Sequence, residues 1–423
     1  MPETDRGRGH VRWFICGLLF FASTVNYIDR QVLAVLKPVL KRELHWSESD
    51  YGLIVSAFQF AYAAMMPVAG RLIDRLGTRL GYAIAVIVWS LASMSHAVAR
   101  TVGQFAAARI GLGIGEAANF PAAIRTVSDW FPKRERALAT GIFNSGTNVG
   151  AIVAPLVVGL VAPRLGWRAT FLVAGSLDAL WLVVWLLYFH SPEKHPRVSA
   201  AELAYIRSDG PDKIAVKVPY AKLLRTRAAW AFIAGKLMTD PVWWFFLFWI
   251  PGYLNDTYGL NLAALGPPLA AIYIAADVGS IGGGWLSSRF LALGWTLNAS
   301  RKVAMLICAL MALAVISILF TGSLWPAVAA IGAATAAHQG WSANLYTLVS
   351  DTLPRGSVAS VVGIGGLAGA VGGMLVAPAI GYWLDFSHGA YRPLFVCAGS
   401  AYLLAFCVIQ ILIPRVEPVR LTD

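Results

Sequence analysis

Two runs of sequence set carboxylic acids beside arginines in otherwise apolar surroundings. One is Asn26-Tyr27-Ile28-Asp29-Arg30; the other runs from Arg109 through Glu116 to Asn119 and Pro121. Arg109 and Glu116 are seven residues apart, two helical turns, so they share one helix face. Gly111, Gly113 and Gly115 between them let backbone or ligand approach closely. Two acids and two arginines nearly cancel when all are ionised. A buried acid can switch between charged and neutral when its arginine partner is taken by something else. An arriving carboxylate that competes for Arg30 or Arg109 would therefore free Asp29 or Glu116 to hold a proton. The same residues fit two plainer roles: a fixed salt bridge that aids assembly, or, for Asp29, a solvated position near the surface. The Gly-x-Gly-x-Gly run is no dinucleotide fingerprint, because no strand precedes it and its third spacing is wrong.

The elements that must position these residues follow from composition. The chain has 423 residues, 58% hydrophobic and 13% charged, with a mean hydropathy of +0.64. Soluble proteins carry about 25% charged residues, so too few charges are present to solvate a globule of this size. The net charge of +12 does not indicate nucleic acid, since the charges lie between apolar blocks rather than on one folded face. Cys16, Cys308, Cys397 and Cys407 all fall in apolar stretches, and no CxxC or HxxxH spacing occurs. No disulfide framework, metal site or cofactor is expected. A helix needs about 20 apolar residues to cross a bilayer. Twelve such blocks lie roughly at 13–34, 51–72, 80–98, 103–125, 137–160, 168–189, 228–253, 265–288, 303–320, 324–348, 358–383 and 392–413. The first block follows Arg6, Arg8 and Arg12 but lacks a small-x-small cleavage site, so it reads as a retained span rather than a signal peptide. Lys and Arg concentrate in the loops that face one side, with Lys37, Lys41, Arg42, Arg100, Arg164, Arg168 and Arg392 on the other. By the positive-inside rule both termini face the cytoplasm. The expectation is an all-α membrane protein of 12 transmembrane helices.

The polar stretch 190–227 divides the spans six and six, giving bundles at 1–189 and 228–423 joined by a cytoplasmic linker. The two halves repeat one another. Val127-Ser128-Asp129 and Pro132 match Val349-Ser350-Asp351 and Pro354, and Gly141 matches Gly363. After a one-residue slip, Gly146, Gly150, Ala154 and Pro155 match Gly369, Gly373, Ala377 and Pro378. Each Gly-x-x-x-Gly permits close helix approach. Parallel six-helix repeats are the architecture of the major facilitator fold, in which substrate binds near the midplane and rocking of the halves alternates access. The loop between the second and third spans carries Gly70-x-x-x-Asp74-Arg75-x-Gly77-x-Arg79, which resembles the major facilitator signature. The resemblance implies a conformational latch at Gly70, Asp74, Arg75, Gly77 and Arg79; a polar turn with positive-inside arginines is the plainer alternative. The second half keeps a degraded copy, Gly284-x-x-x-Ser288-Arg289, with Ser in place of the acid.

Asn-Tyr-x-Asp-Arg in the first span, together with Arg109-x-x-x-Gly113-x-x-Glu116 in the fourth, resembles the anion:cation symporter branch of that superfamily. Lys236-Leu-Met-Thr-Asp240-Pro-Val-Trp-Trp244 and His338-Gln-Gly-Trp-Ser-Ala-Asn344 are similar to bacterial hexuronate transporters. The resemblance implies proton coupling at Asp29 and Glu116 and carboxylate binding by Arg30 and Arg109, with Tyr27 and Tyr62 as hydroxyl donors. Gln59, Thr147, Asn148 and Asn344 become candidates for sugar hydroxyls, and Trp244 and Trp341 for the sugar's C–H face. Packing or lipid contact is the plainer role for either tryptophan in a chain with sixteen. Relatives often carry Gln where this chain has Ser145-Gly-Thr147-Asn148, which leaves the preferred stereoisomer open. Lys236 and Asp240, four apart, can brace one helix or take part in gating. Asp178 and Asp277 have no partner legible in sequence and are assigned no role. The expectation is a proton-coupled symporter, monomeric in the lipid of the bacterial inner membrane, that imports a hexuronate or related sugar acid. Exchange or export of another small organic anion is the alternative. An enzyme is not expected, because no metal spacing or nucleophile–base motif occurs.

Overall fold

A computed structural model describes residues 10–208, 219–353 and 355–419, and within these ranges the side chains of 74, 133, 134, 136–138, 220 and 355–360 stand outside the description. Arg6, Arg8 and Arg420 of the basic termini, and Pro354 of the repeat, lie outside the described residues. Every element among the described residues is helical. All twelve apolar blocks fall on helices: α1 (Val11–Leu44), α2 (Glu48–Leu76), α3 (Thr78–Ser95), α4 (Val102–Glu116) with α5 (Asn119–Trp130), α6 (Lys133–Tyr188), then, past the short α7 (Ala200–Ile206) and α8 (Tyr220–Leu223), α9 (Arg227–Tyr258), α10 (Leu262–Ala292), α11 (Leu297–Ala312), α12 (Leu324–Thr352), α13 (Arg355–Phe386) and α14 (Arg392–Leu412).

Among the described residues, eight helical stretches are long and apolar enough to cross a membrane. One of them, residues 139–188, turns at Gly166, whose φ of 81° is left-handed backbone that glycine adopts without a Cβ penalty. It therefore supplies the fifth and sixth blocks. The three remaining blocks carry polar or broken sequence for identifiable reasons. The fourth is interrupted between Glu116 and Asn119. Pro121 has no N–H to offer the carbonyl four residues back, a loss that the first turn of α5 accommodates. Helix α9 holds Lys236, Asp240 and two prolines, and α12 holds His338, Gln339 and Asn344.

Packing divides the chain into two compact units, Met1–Leu36 with Phe60–Ile214, and Lys37–Gln59 with Ala215–Asp423. In the first unit, α6 lies so close on α1 that a Cβ at Gly146 would sit 2.3 Å from the Phe20 carbonyl oxygen, and one at Gly150 would sit 2.4 Å from that of Thr24. In the second unit, the repeat-related Gly369 and Gly373 press α13 on α9, where a Cβ would meet Asp240 and Trp244. The repeat seen in sequence thus makes the same contact twice, its fifth helix on its first. The first unit also holds α7: Arg12 pairs with Glu135 at 3.0 Å and with Glu202 at 3.2 Å, and Tyr205 donates to Glu135 at 2.6 Å.

In the second unit, the residues that end α1 and begin α2 are tied to α9 and α13. Lys37, only 1% exposed, pairs with Glu48 at 2.7 Å. The Tyr51 hydroxyl donates to the Phe248 carbonyl at 2.8 Å. The Glu48 and Ser49 amides both donate to Asp385, at 2.8 and 2.7 Å.

Candidate functional site

The polar centre of the first unit is built on α1. That helix is 34 residues long, about 50 Å at 1.5 Å per residue, which puts Asp29 and Arg30 near its middle. Arg30 is 2% exposed and Glu116 fully buried, and the Arg30 Nε donates to a Glu116 oxygen at 2.5 Å. The guanidinium lies over two phenol rings, 4.8 Å from the centroid of Tyr27 and 4.7 Å from that of Tyr62. Charge, planarity and two aromatic faces together fix its orientation, which an ammonium group would not permit. Tyr27 is half-buried and Tyr62 buried.

Arg109 is 1% exposed and donates from Nη2 to the Arg30 carbonyl at 3.2 Å. Arg109 and Glu116 thus both face α1, as their seven-residue spacing requires. Their tasks differ, however: Glu116 holds the Arg30 side chain, whereas Arg109 holds its backbone. Gly115 serves helix packing, since a Cβ there would lie 2.6 Å from the Trp89 amide nitrogen of α3. The close approach it permits is therefore backbone to backbone.

Asp29 is 2% exposed and accepts a hydrogen bond from the Ser93 hydroxyl at 2.5 Å. A solvated position near the surface is ruled out for it by this burial. Its carboxyl also meets that of Asp178, carried by the second limb of α6. Sequence reasoning left Asp178 without a role because its partner stands on another helix 149 positions away; an acid in an apolar block was the only signal available.

The remaining candidates are placed as follows. In the first unit, the Thr147 hydroxyl donates to the Asn144 carbonyl of its own helix at 2.7 Å, and Asn148 is half-buried on the same helix. In the second unit, Gln59 is fully buried with neither amide atom hydrogen-bonded. Trp244 is half-buried and stacks on Phe248 at 5.7 Å. Trp341 has no exposed surface and meets Tyr402 edge-on at 5.8 Å, a packing position. The Asn344 amide donates to the Gly283 and Gly340 carbonyls at 2.9 Å each, which ties α12 to α10. Lys236 and Asp240 form their i,i+4 pair at 2.8 Å, with the ammonium 5.2 Å from the Tyr346 ring centroid.

In the signature loop, Gly77 takes a positive φ of 76°, the tight turn that a glycine there allows. Arg79 donates to the Leu186 carbonyl at 2.5 Å, and the Trp185 indole donates back to the Arg79 carbonyl at 3.1 Å. Gly70 lies inside α2, Arg75 is exposed, and the side chain of Asp74 lies outside the description. In the second half, Asp351 of α12, the counterpart of Asp129, accepts from Arg301 of α11 at 2.7 Å.

The sequence pattern of the Major Facilitator Superfamily matches residues 19–377. The chain belongs to that superfamily. This facilitator is a multi-pass membrane transporter, not an enzyme. It is 32% identical over 405 residues to the hexuronate transporter of Escherichia coli K12, covering 94% of this chain and 93% of that relative. It is 33% identical to the galacturonate transporter of Dickeya chrysanthemi, over 71% of this chain and 89% of that one. Among solved structures, a bacterial homolog of the human lysosomal transporter Spinster, crystallised inward-facing and unoccupied, aligns with a TM-score of 0.72 at 20% identity, over 96% of each chain. That likeness supports the facilitator fold.

Proposed function

We propose that this facilitator is a proton-driven symporter that imports a hexuronate or related sugar acid across the bacterial inner membrane, with both termini in the cytoplasm and the halves 1–189 and 228–423 alternating access through the linker 190–227. The observation that carries this proposal is the buried Arg30–Glu116 pair with Asp29 beside it. In a low-dielectric site an arginine can satisfy one carboxylate well or two poorly. A substrate carboxylate that takes Arg30 leaves Glu116 as an uncompensated buried anion, a state that costs several kcal/mol. Glu116 then binds a proton. Proton and anion are thereby taken up together, and losing either restores the Arg30–Glu116 pair and favours loss of the other.

Tyr27 and Tyr62, which flank the guanidinium, would hold the arriving carboxylate in the plane of Arg30. Arg109 keeps the α1 backbone in place. Asn148, Gln59 and Trp244, which the family resemblance offers for the sugar, are the proposed contacts: Asn148 and Trp244 are half-buried, and neither amide atom of Gln59 is hydrogen-bonded. The substrate class is supported by the hexuronate and galacturonate transporters named above.

Uptake of radiolabelled galacturonate into proteoliposomes tests the proposal. An inside-alkaline pH gradient should drive accumulation, and Glu116→Gln should abolish that net uptake while counterflow exchange persists. Full pH-driven uptake by Glu116→Gln would remove Glu116 from coupling. Full accumulation by the wild type on a substrate gradient alone would favour an exchanger.

A further inference from the structure

Asp178 is fully buried, with no closely aligned hydrogen bond to either carboxyl oxygen and the Trp89 indole as its nearby donor. Asp29, 2% exposed, uses one oxygen for Ser93 and has no donor on the other. The two carboxyl groups lie within hydrogen-bonding reach of each other. Around them, α1 contributes Arg30, α4 contributes Arg109 and Glu116, and α3 contributes Ser93 and the indole of Trp89. The arginine charges act on Asp29, whereas Asp178 faces the carboxyls of Asp29 and Glu116. Two carboxylates in contact away from water cannot both stay ionised, because each keeps an oxygen without a close donor and repels the other. One proton placed between them supplies the missing hydrogen bond and removes one charge.

We propose that Asp29 and Asp178 hold a single proton in common, making Asp178 a positioning residue that sets the conditions under which Asp29 binds and releases its proton. This rests on the coupling role proposed above for Asp29. The shared proton gives that role a resting state: Asp29 meets substrate already carrying a proton stored with Asp178, while Glu116 stays ionised against Arg30. The two acids then differ in charge at the start of the cycle because one faces an acid and the other an arginine.

The test combines a titration and a transport profile. Infrared spectra of purified protein in detergent at pH 7 should contain the C=O stretch of a buried protonated carboxyl. Asp178→Asn and Asp29→Asn should each remove that band, Glu116→Gln should keep it, and Asp178→Glu should restore it. In proteoliposomes, Asp178→Asn leaves Asp29 beside Ser93, Arg30 and Arg109, with Glu116, held by Arg30, as the remaining acid. The limb of its pH profile for galacturonate counterflow should move about one pH unit toward acid, as for the separation of a coupled pair. A folded Asp178→Asn protein that keeps both the band and the wild-type profile overturns the shared proton. Absence of pH-driven uptake in the wild type would instead overturn the coupling proposal, and the infrared band would still decide the pair.

Discussion

Arg30 is the residue on which the proposed chemistry turns, because its buried guanidinium contacts Glu116 and two aromatic rings in the middle of α1. Arg30→Lys keeps the charge but loses the planar fork and the stacking. Galacturonate affinity should fall by about tenfold or more, equivalent to about 1.4 kcal/mol, with Arg30→Ala losing binding altogether. Calorimetric titration of the purified protein checks this, and unchanged affinity in Arg30→Ala would place the carboxylate elsewhere. Asp29, Arg30, Arg109 and Glu116 were legible in the sequence because ionisable groups in apolar spans stand out against their surroundings. The division of labour between the arginines was not, since spacing shows which face a residue shares but not which atom of a neighbouring helix it meets. Asn344 and Trp341 illustrate the same limit. Both are polar or aromatic residues in a motif that resembles sugar-acid carriers, yet one ties two helix backbones together and the other packs against Tyr402.

At the scale of elements, the close contact of α6 on α1 positions the site, since Gly150 sits against Thr24 and Tyr27, three residues before Arg30. Gly150→Leu should force the helices apart, destabilising the protein by about 1–3 kcal/mol as overpacking does and reducing transport. Gly141→Ala, at a glycine with open space around it, should do neither. Thermal unfolding in detergent distinguishes the two; equal melting of both variants would mean that the contact is not under constraint. The twelve apolar blocks were legible from hydropathy because lipid demands it of every exposed turn. The break after Glu116 was less so. The fourth block reads as one span, and Pro121, in the first turn of α5, is no clear marker when α9 runs through two prolines unbroken. That break puts Glu116 in the last turn of α4 rather than in mid-helix.

At the scale of the whole molecule, the internal repeat was legible in the glycines, and their helix contact recurs in both packing units. The membership of residues 37–59 in the second packing unit was not legible. Residues 37–59 continue α1 and α2 but pack with α9 and α13, through single polar contacts that have no sequence period. Lys37 is buried against Glu48 there, so Glu48→Gln should leave a buried cation without its counter-ion. A loss of about 3–5 kcal/mol is expected for breaking such a pair, read as a lowered unfolding temperature; an unchanged one would show that the pair contributes nothing. For transport as a whole, everything depends on anion and proton binding at the same arginine–acid pair. The most direct measurement is proton uptake on substrate addition, followed with a pH indicator in weakly buffered detergent solution. Galacturonate should draw protons from the medium onto the wild-type protein and none onto Glu116→Gln. Binding of galacturonate by the wild type with no accompanying proton uptake at any pH would contradict the account.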